Sequence, residues 1–229
     1  MTDLEKTSIA ALLDHTLLSP TATTEQIHTL CNEAQQYAFH SVCVAARWVA
    51  PVADRLHGSQ IKVTSVIGFP LGSETTQTKA AQAKELIFAG ADELDMVIDL
   101  AAVIEEDAQA IQYQLKTLLG VCRSVRPEVT LKVIIEAAAL THDQKVFACR
   151  QVQTAGVTFL KTSTGLHAAG GATFEDVRLM KDQAPNCKVK AAGGIRTAQQ
   201  ALTFLEAGAD RLGTSAGVAI VTEINSGGD

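Results

Sequence analysis

A chain of 229 residues can hold one large domain or two small ones, and single α/β barrels commonly have this length. With 47% hydrophobic and 19% charged residues the composition is that of an ordinary soluble globular protein, and no apolar run approaches the roughly 20 residues needed to cross a bilayer. A formal net charge of −6 without a basic stripe argues against a nucleic-acid binder, so an anionic ligand would have to be held by local dipoles rather than by the overall field.

The opening residues Met1 to Lys6 are not a basic region leading into an apolar one, so no signal peptide is expected. The five cysteines, Cys31, Cys43, Cys122, Cys149 and Cys187, are scattered and form no C-x-x-C. That pattern fits free thiols in a reducing cytosol better than a disulfide framework or a structural zinc site.

Strand-like and helix-like segments alternate along the chain. Ala11 to Leu17 reads as a first strand and Thr24 to Tyr37 as a helix, capped by Thr23 or Thr24. Ser41 to Val44 is a second strand, followed by a helix with Trp48, Val52 and Leu56 on one face. Ile61 to Ile67 is a third strand running into the loop Gly68 to Gly72, and Ser73 to Phe88 is a helix closed by Gly90. Glu93 to Ile98 is a fourth strand, with a long helix from about Glu105 to Ser124. Thr130 to Glu136 is a fifth strand, with a helix over Thr141 to Thr154.

Val157 to Thr162 is a short β-branched run after Gly156, which reads as a buried sixth strand. Thr173 to Ala184 is a helix stopped by Pro185, and Cys187 to Ala192 a seventh strand. Thr197 to Glu206 is a helix and Arg211 to Thr214 an eighth strand, with a short polar tail after Ile220.

Three turns, Ala89-Gly90-Ala91-Asp92, Ala155-Gly156-Val157 and Ala207-Gly208-Ala209-Asp210, put a helix-ending glycine directly before a strand. Eight such units without a linker predict a single (β/α)8 TIM barrel over 1–229, with a short N-terminal extension. A doubly wound open sheet is the competitor. It would more often carry G-x-G-x-x-G after its first strand, where this chain has Asp14-His15-Thr16-Leu17-Leu18.

In such a barrel the chemistry lies at the C-terminal ends of the strands. The polar residues there are Asp14 and Thr16, Cys43, Thr64 and Ser65, Asp95, Glu136, Lys161 and Lys190. A lone lysine at a strand mouth ordinarily reaches water through its apolar stem. Lys188 fits that description at the opposite mouth. Lys161 and Lys190 are different, because two ammonium groups facing one interior are costly for packing alone. Desolvation and like-charge repulsion lower a lysine pKa, and the resulting neutral amine can attack a carbonyl. Asp95, within the otherwise apolar Leu94 to Ile98, is either their counter-ion or a proton-transfer partner.

Gly193-Gly194 after strand seven and Gly213-Thr214-Ser215 after strand eight occupy the common phosphate site of these barrels, with Gly170-Gly171 nearby. The histidines His15, His28, His40, His57, His142 and His167 show no spacing for a shared metal, so no metal or cofactor is expected. His15 should point away from Asp14 and Thr16, whereas His167 lies in a loop near the mouth. Cys43 is expected to line the pocket without a covalent role.

These residues fall within stretches that resemble the deoxyribose-phosphate aldolases, class I aldolases of deoxynucleoside breakdown: LDHTLLSP (13–20), SVCV (41–44), SVIGFPLG (65–72), GADELDMVID (90–99), LKVIIE (131–136), FLKTSTG (159–165), GGATFEDV (170–177), KAAGGIRT (190–197) and AGADRLGTSAGVAIV (207–221). The resemblance implies Lys161 as the Schiff-base lysine, Lys190 as the lysine that lowers its pKa and helps move protons, and Asp95 as the relay carboxylate. It implies that Gly193, Gly194 and Ser215 hold a 5-phosphate with Thr164 and Gly165 nearby, and that Asp14 and Thr16 lie near substrate. It further implies a cytoplasmic aldehyde-lyase acting on a phosphosugar, often a homodimer.

The chain differs from the common family pattern at Ala45-Ala46, at Ala137-Ala138 and in the longer loop Leu166 to Ala169. It also lacks the C-terminal tyrosine tail of some members, so no tail-assisted proton transfer is expected. Two other readings of the same barrel are a phosphosugar isomerase or epimerase with Asp95 or Glu136 as base, and a non-catalytic phosphosugar-binding barrel.

Overall fold

A computed structural model describes residues 9–125 and 127–226. The expected N-terminal extension lies largely outside the described residues. Eight parallel strands close into a barrel in sequence order: β1 (Leu13–Leu17), β2 (Ser41–Val44), β3 (Lys62–Ile67), β4 (Glu93–Val97), β5 (Thr130–Ile134), β6 (Phe159–Lys161), β7 (Lys188–Ala192) and β8 (Arg211–Thr214). The ring closes where Leu13 pairs with Leu212 and Asp14 with Gly213. This is the expected (β/α)8 barrel.

The helices between them are α1 (Thr24–Tyr37), α2 (Val49–Leu56), α3 (Thr76–Phe88), α4 (Leu100–Ile104), α5 (Ala108–Arg123), α6 (His142–Ala155), α7 (Phe174–Gln183), α8 (Ala198–Glu206) and α9 (Gly217–Ser226). Their starts are written in the sequence. Thr23 with Gln26, Thr141 with Gln144 and Thr197 with Gln200 form capping boxes, each satisfying otherwise unpaired backbone donors. Gly90, Gly156 and Gly208 take left-handed backbone conformations at the αβ turns, as the repeated turn signature requires.

Alternation along each strand sorts the side chains. Val42, Val63, Leu94, Met96, Leu131, Val133, Leu160, Val189 and Leu212 are buried between barrel and helices, against residues such as Ile27, Leu30, Leu115, Leu118 and Val152. Burying each of these side chains contributes about 1.5–3 kcal/mol. The other face points into the barrel. Register places Asp95 beside Lys132, Ile134 beside Lys161, Lys161 beside Lys190 and Lys190 beside Arg211.

Some boundaries differ from the reading of the sequence. The first strand starts at Leu13, because Ala11 and Leu12 form a turn. The helix expected from about Glu105 starts at Ala108, capped by Asp107, and a separate short helix that was not expected, α4, precedes it with Asp99 as its cap; Glu106 between them has φ 55°. Two acidic N-caps in one run start two helices. The sixth strand is regular only over Phe159–Lys161, although the Thr158 carbonyl and the Thr162 N–H still bond β7. The segment after Ile220, expected as a polar tail, continues α9 and buries Ile220, Val221 and Ile224 on one face. Its exposed Thr222, Glu223 and Asn225 masked that apolar stripe, and Glu223 accepts the Ala198 N–H that starts α8.

Candidate active site

Lys161 ends β6, is 3% exposed and lies in the wall of a cavity of about 390 Å³ at the C-terminal mouth. Thr16, Phe69, Thr164, Gly165, Gly193, Gly194 and Ser215 also line this cavity. Five of the expected phosphate residues therefore meet in one place. Glycine is needed there: a Cβ on Gly171 would overlap the Gly193 carbonyl, and one on Gly165 would sit 3.2 Å from the Gly193 Cα. The loops after β6 and β7 are thus packed backbone against backbone, held by the Ala172 N–H donating to Gly193 O at 3.1 Å. Arg196 adds a cation at the rim, and the start of α9 adds a helix N-terminus.

Beneath the cavity the barrel interior is charged. Lys161 Nζ and Lys190 Nζ both donate to Asp95 Oδ2 at 2.8 Å, and Lys132 Nζ donates to Asp95 Oδ1 at 2.8 Å. Lys190 also pairs with Asp14 Oδ2, whose other oxygen takes Arg211 Nη1 at 2.9 Å. Lys132 reaches Glu93 Oε2 at 2.6 Å, and Glu93 Oε1 is 3.1 Å from His40 Nε2. Gly213 leaves room for this packing, since a Cβ there would sit 3.0 Å from Lys190 Cε.

The two expected lysines differ in electrostatics. Burial depresses the pKa of Lys161; Asp95 opposes this, Lys190 reinforces it, and the net shift is downward. Burial also acts on Lys190, but Asp14 and Asp95 outweigh it and push its pKa up. The shared lowering expected from a lysine pair falls on one member only, because Lys190 has two carboxylates and Lys161 has one. Burial would raise the Asp95 pKa, but Lys132, then Lys161 and Lys190, hold it well below the usual carboxylate range.

Asp14 and Cys43, expected beside substrate, do not line the cavity. Both are buried inside the barrel, Asp14 bound to Lys190 and Arg211, and burial pushes the Cys43 thiol up. Thr16 does line it, with its hydroxyl donating to Asp14 O at 2.9 Å. Thr64 bonds Ser41 and Glu93 lower in the barrel, and Ser65 turns outward to Val44 O. Glu136 is buried and occupied by Thr164, whose hydroxyl donates to it at 2.5 Å. His15 points outward to Glu33 at 2.7 Å, as alternation requires, and the His167 ring accepts the Ala169 N–H.

Lys132, Glu93 and Arg211 were missed. The signal was present: Lys132 interrupts the apolar LKVIIE, and Glu93 sits two residues before Asp95 on the same face. They escaped notice because they lie inside the barrel rather than at its active mouth.

A closed barrel with one lysine opening into a glycine-lined pocket, and two more lysines below it on the same aspartate, has the arrangement of a lysine-centred barrel enzyme. The DeoC/LacD family aldolase model matches residues 8–223, and this chain belongs to that family. A deoxyribose-phosphate aldolase of Geobacillus sp. (strain WCH70) is 47% identical over 215 residues, covering 93% of this chain and 95% of that protein. One of Methanocella arvoryzae is 46% identical over 221 residues, covering 96% of each. The tetrameric deoxyribose phosphate aldolase structure from Aeropyrum pernix superposes with a TM-score of 0.89 at 30% identity, covering 96% of this chain and 92% of that one.

Proposed function

We propose that this chain catalyses reversible cleavage of 2-deoxy-D-ribose 5-phosphate to acetaldehyde and D-glyceraldehyde 3-phosphate through a Schiff base on Lys161. The observation that carries the reading is the placement of Lys161. It alone of the three lysines on Asp95 opens into the anion pocket, and it alone has a depressed pKa.

In this mechanism the neutral Lys161 amine adds to C1 of the open-chain aldehyde, and the carbinolamine loses water to give an iminium. A base takes the C3 hydroxyl proton, the C2–C3 bond breaks, and its electron pair passes into the iminium to form an enamine. Glyceraldehyde 3-phosphate leaves. Protonation at C2 and hydrolysis then release acetaldehyde and restore the amine. Asp95 Oδ2, shared by Lys161 and Lys190, is the proton acceptor and donor nearest the amine, and Lys190 holds a second proton beside it. Such acid–base assistance is worth about 10²–10⁴-fold. Gly193, Gly194, Ser215, Thr164 and Gly165 take the phosphate, and Thr16 lies on the adjacent wall.

Borohydride with substrate, followed by mass mapping, tests the mechanism: a reduced adduct is expected on Lys161, and an adduct elsewhere or none would sink it. The isomerase reading loses one base, because Glu136 is held by Thr164. We also infer a homodimer in a reducing cytoplasm. The family resemblance supports the dimer, and five free, buried cysteines support the compartment. Among the described residues no helix is long and apolar enough to cross a membrane. A single-copy mass in sedimentation velocity would overturn the dimer.

A further inference from the structure

Seven ionisable side chains, Lys161 among them, fill the barrel interior. Asp14 comes from β1, Glu93 and Asp95 from β4, Lys132 from β5, Lys161 from β6, Lys190 from β7 and Arg211 from β8, and each is at most 7% exposed. β2 contributes the Cys43 thiol and β3 the neutral Thr64, while half-buried His40 meets Glu93 from below.

Among the described residues three carboxylates therefore face four cations. Burial would raise the Glu93 pKa, but Lys132, the His40 hydrogen bond and Arg211 together hold it down to about 2, so Glu93 is ionised with Asp14 and Asp95. Lys132 and Lys190 are held protonated by these acids despite burial, and a guanidinium does not titrate in this range. That gives three negative and three positive charges before Lys161 is considered. A proton on Lys161 would leave this cluster of seven with one positive charge in excess.

We propose that Glu93, Lys132 and Arg211, the layer beneath the site, set the protonation state of Lys161 by making the barrel interior neutral when its amine is neutral. This rests on Lys161 being the Schiff-base lysine. Glu93 and Lys132 touch no substrate; they are positioning residues that act through Asp95. Lys132 occupies Asp95 Oδ1 and leaves only Oδ2 for Lys161 and Lys190. Without Lys132, Asp95 would carry an unshared oxygen and bind the Lys161 proton more tightly. Without the Glu93 charge, an excess positive charge near Asp95 would expel that proton more readily.

The two single variants are therefore expected to move in opposite directions. The readouts are the pH dependence of kcat/KM for deoxyribose-phosphate cleavage and of the borohydride adduct on Lys161. The acid limb of kcat/KM reports the free-enzyme amine. Lys132→Met leaves three carboxylates against two fixed cations, and the limb should move up by about one pH unit or more. Glu93→Gln leaves two against three, and the limb should move down by about half a unit to one unit. The double variant has two against two and should return close to the native profile.

A purely structural role would lower kcat in both single variants and leave both limbs in place. That result, or limbs moving in the same direction, overturns the proposal. If Lys132→Met does not fold, Glu93→Gln is nearly isosteric and decides alone by the direction of its shift. Failure of the catalytic reading is distinguishable, because the native enzyme would then give no Lys161 adduct.

Discussion

At the N-terminal mouth the barrel is plugged by side chains. Phe159 lies under the Lys188 ammonium at 5.7 Å and the Arg211 guanidinium at 5.4 Å, and Glu93 ties His40, Arg211 and Lys132 together. At the C-terminal mouth the same strands end in glycine turns, and the backbone itself forms the wall of an open cavity. Side-chain charges in fixed pairs make a rigid, dry floor, because a buried ion stripped of its partner costs several kcal/mol. Backbone N–H groups at a glycine loop leave an anion site open to an incoming ligand. Lys161 belongs to both regions. Its amine opens into the cavity, while its carboxylate partner, Asp95, is part of the floor.

The contrast can be broken most severely at that junction. Lys161→Arg removes the nucleophilic amine, and cleavage measured by a coupled assay should fall by at least about 10⁴-fold. A variant retaining turnover would favour an isomerase-like reaction without a covalent step. Asp95→Asn removes the acceptor common to three lysines. It should lower kcat by about 10²–10⁴-fold and, by leaving buried ammonium groups unpaired, destabilise the fold by about 3–5 kcal/mol in urea unfolding.

A gentler change separates the open mouth from the floor. Gly171→Ala forces the β6 loop away from the Gly193 carbonyl. It should raise KM for the 5-phosphate substrate about tenfold or more, a loss of about 1.4 kcal/mol, while kcat for unphosphorylated deoxyribose stays unchanged. Equal losses on both substrates would mean that the cradle does not hold the phosphate. The smallest effect is expected away from both mouths. Thr141→Ala deletes the N-cap of α6, and should cost about 1 kcal/mol in unfolding without altering KM or kcat.

Much of the barrel was legible in the chain because its determinants are local. Threonine caps, αβ-turn glycines and β-branched runs declare their own conformation within a few residues. The boundaries that failed were those where polarity masked packing, as in α9, or where adjacent acidic caps competed, as at Asp99 and Asp107. Within the site, Lys161 and the glycines after β7 and β8 could be placed from strand ends alone. The separate behaviour of Lys161 and Lys190 could not, since it depends on which carboxylates each amine meets across strands distant in sequence.

By itself the sequence determined the repeat, the strand faces and the family, and so put Lys161 and Lys190 at the end of the barrel where ligands bind. Only the tertiary structure decided which charges share the interior. Asp14, far from Arg211 in the chain, is 2.9 Å from it once the first and last strands close the ring. A pKa in a low-dielectric interior follows from distances of a few ångströms between charges, and barrel closure fixes those distances.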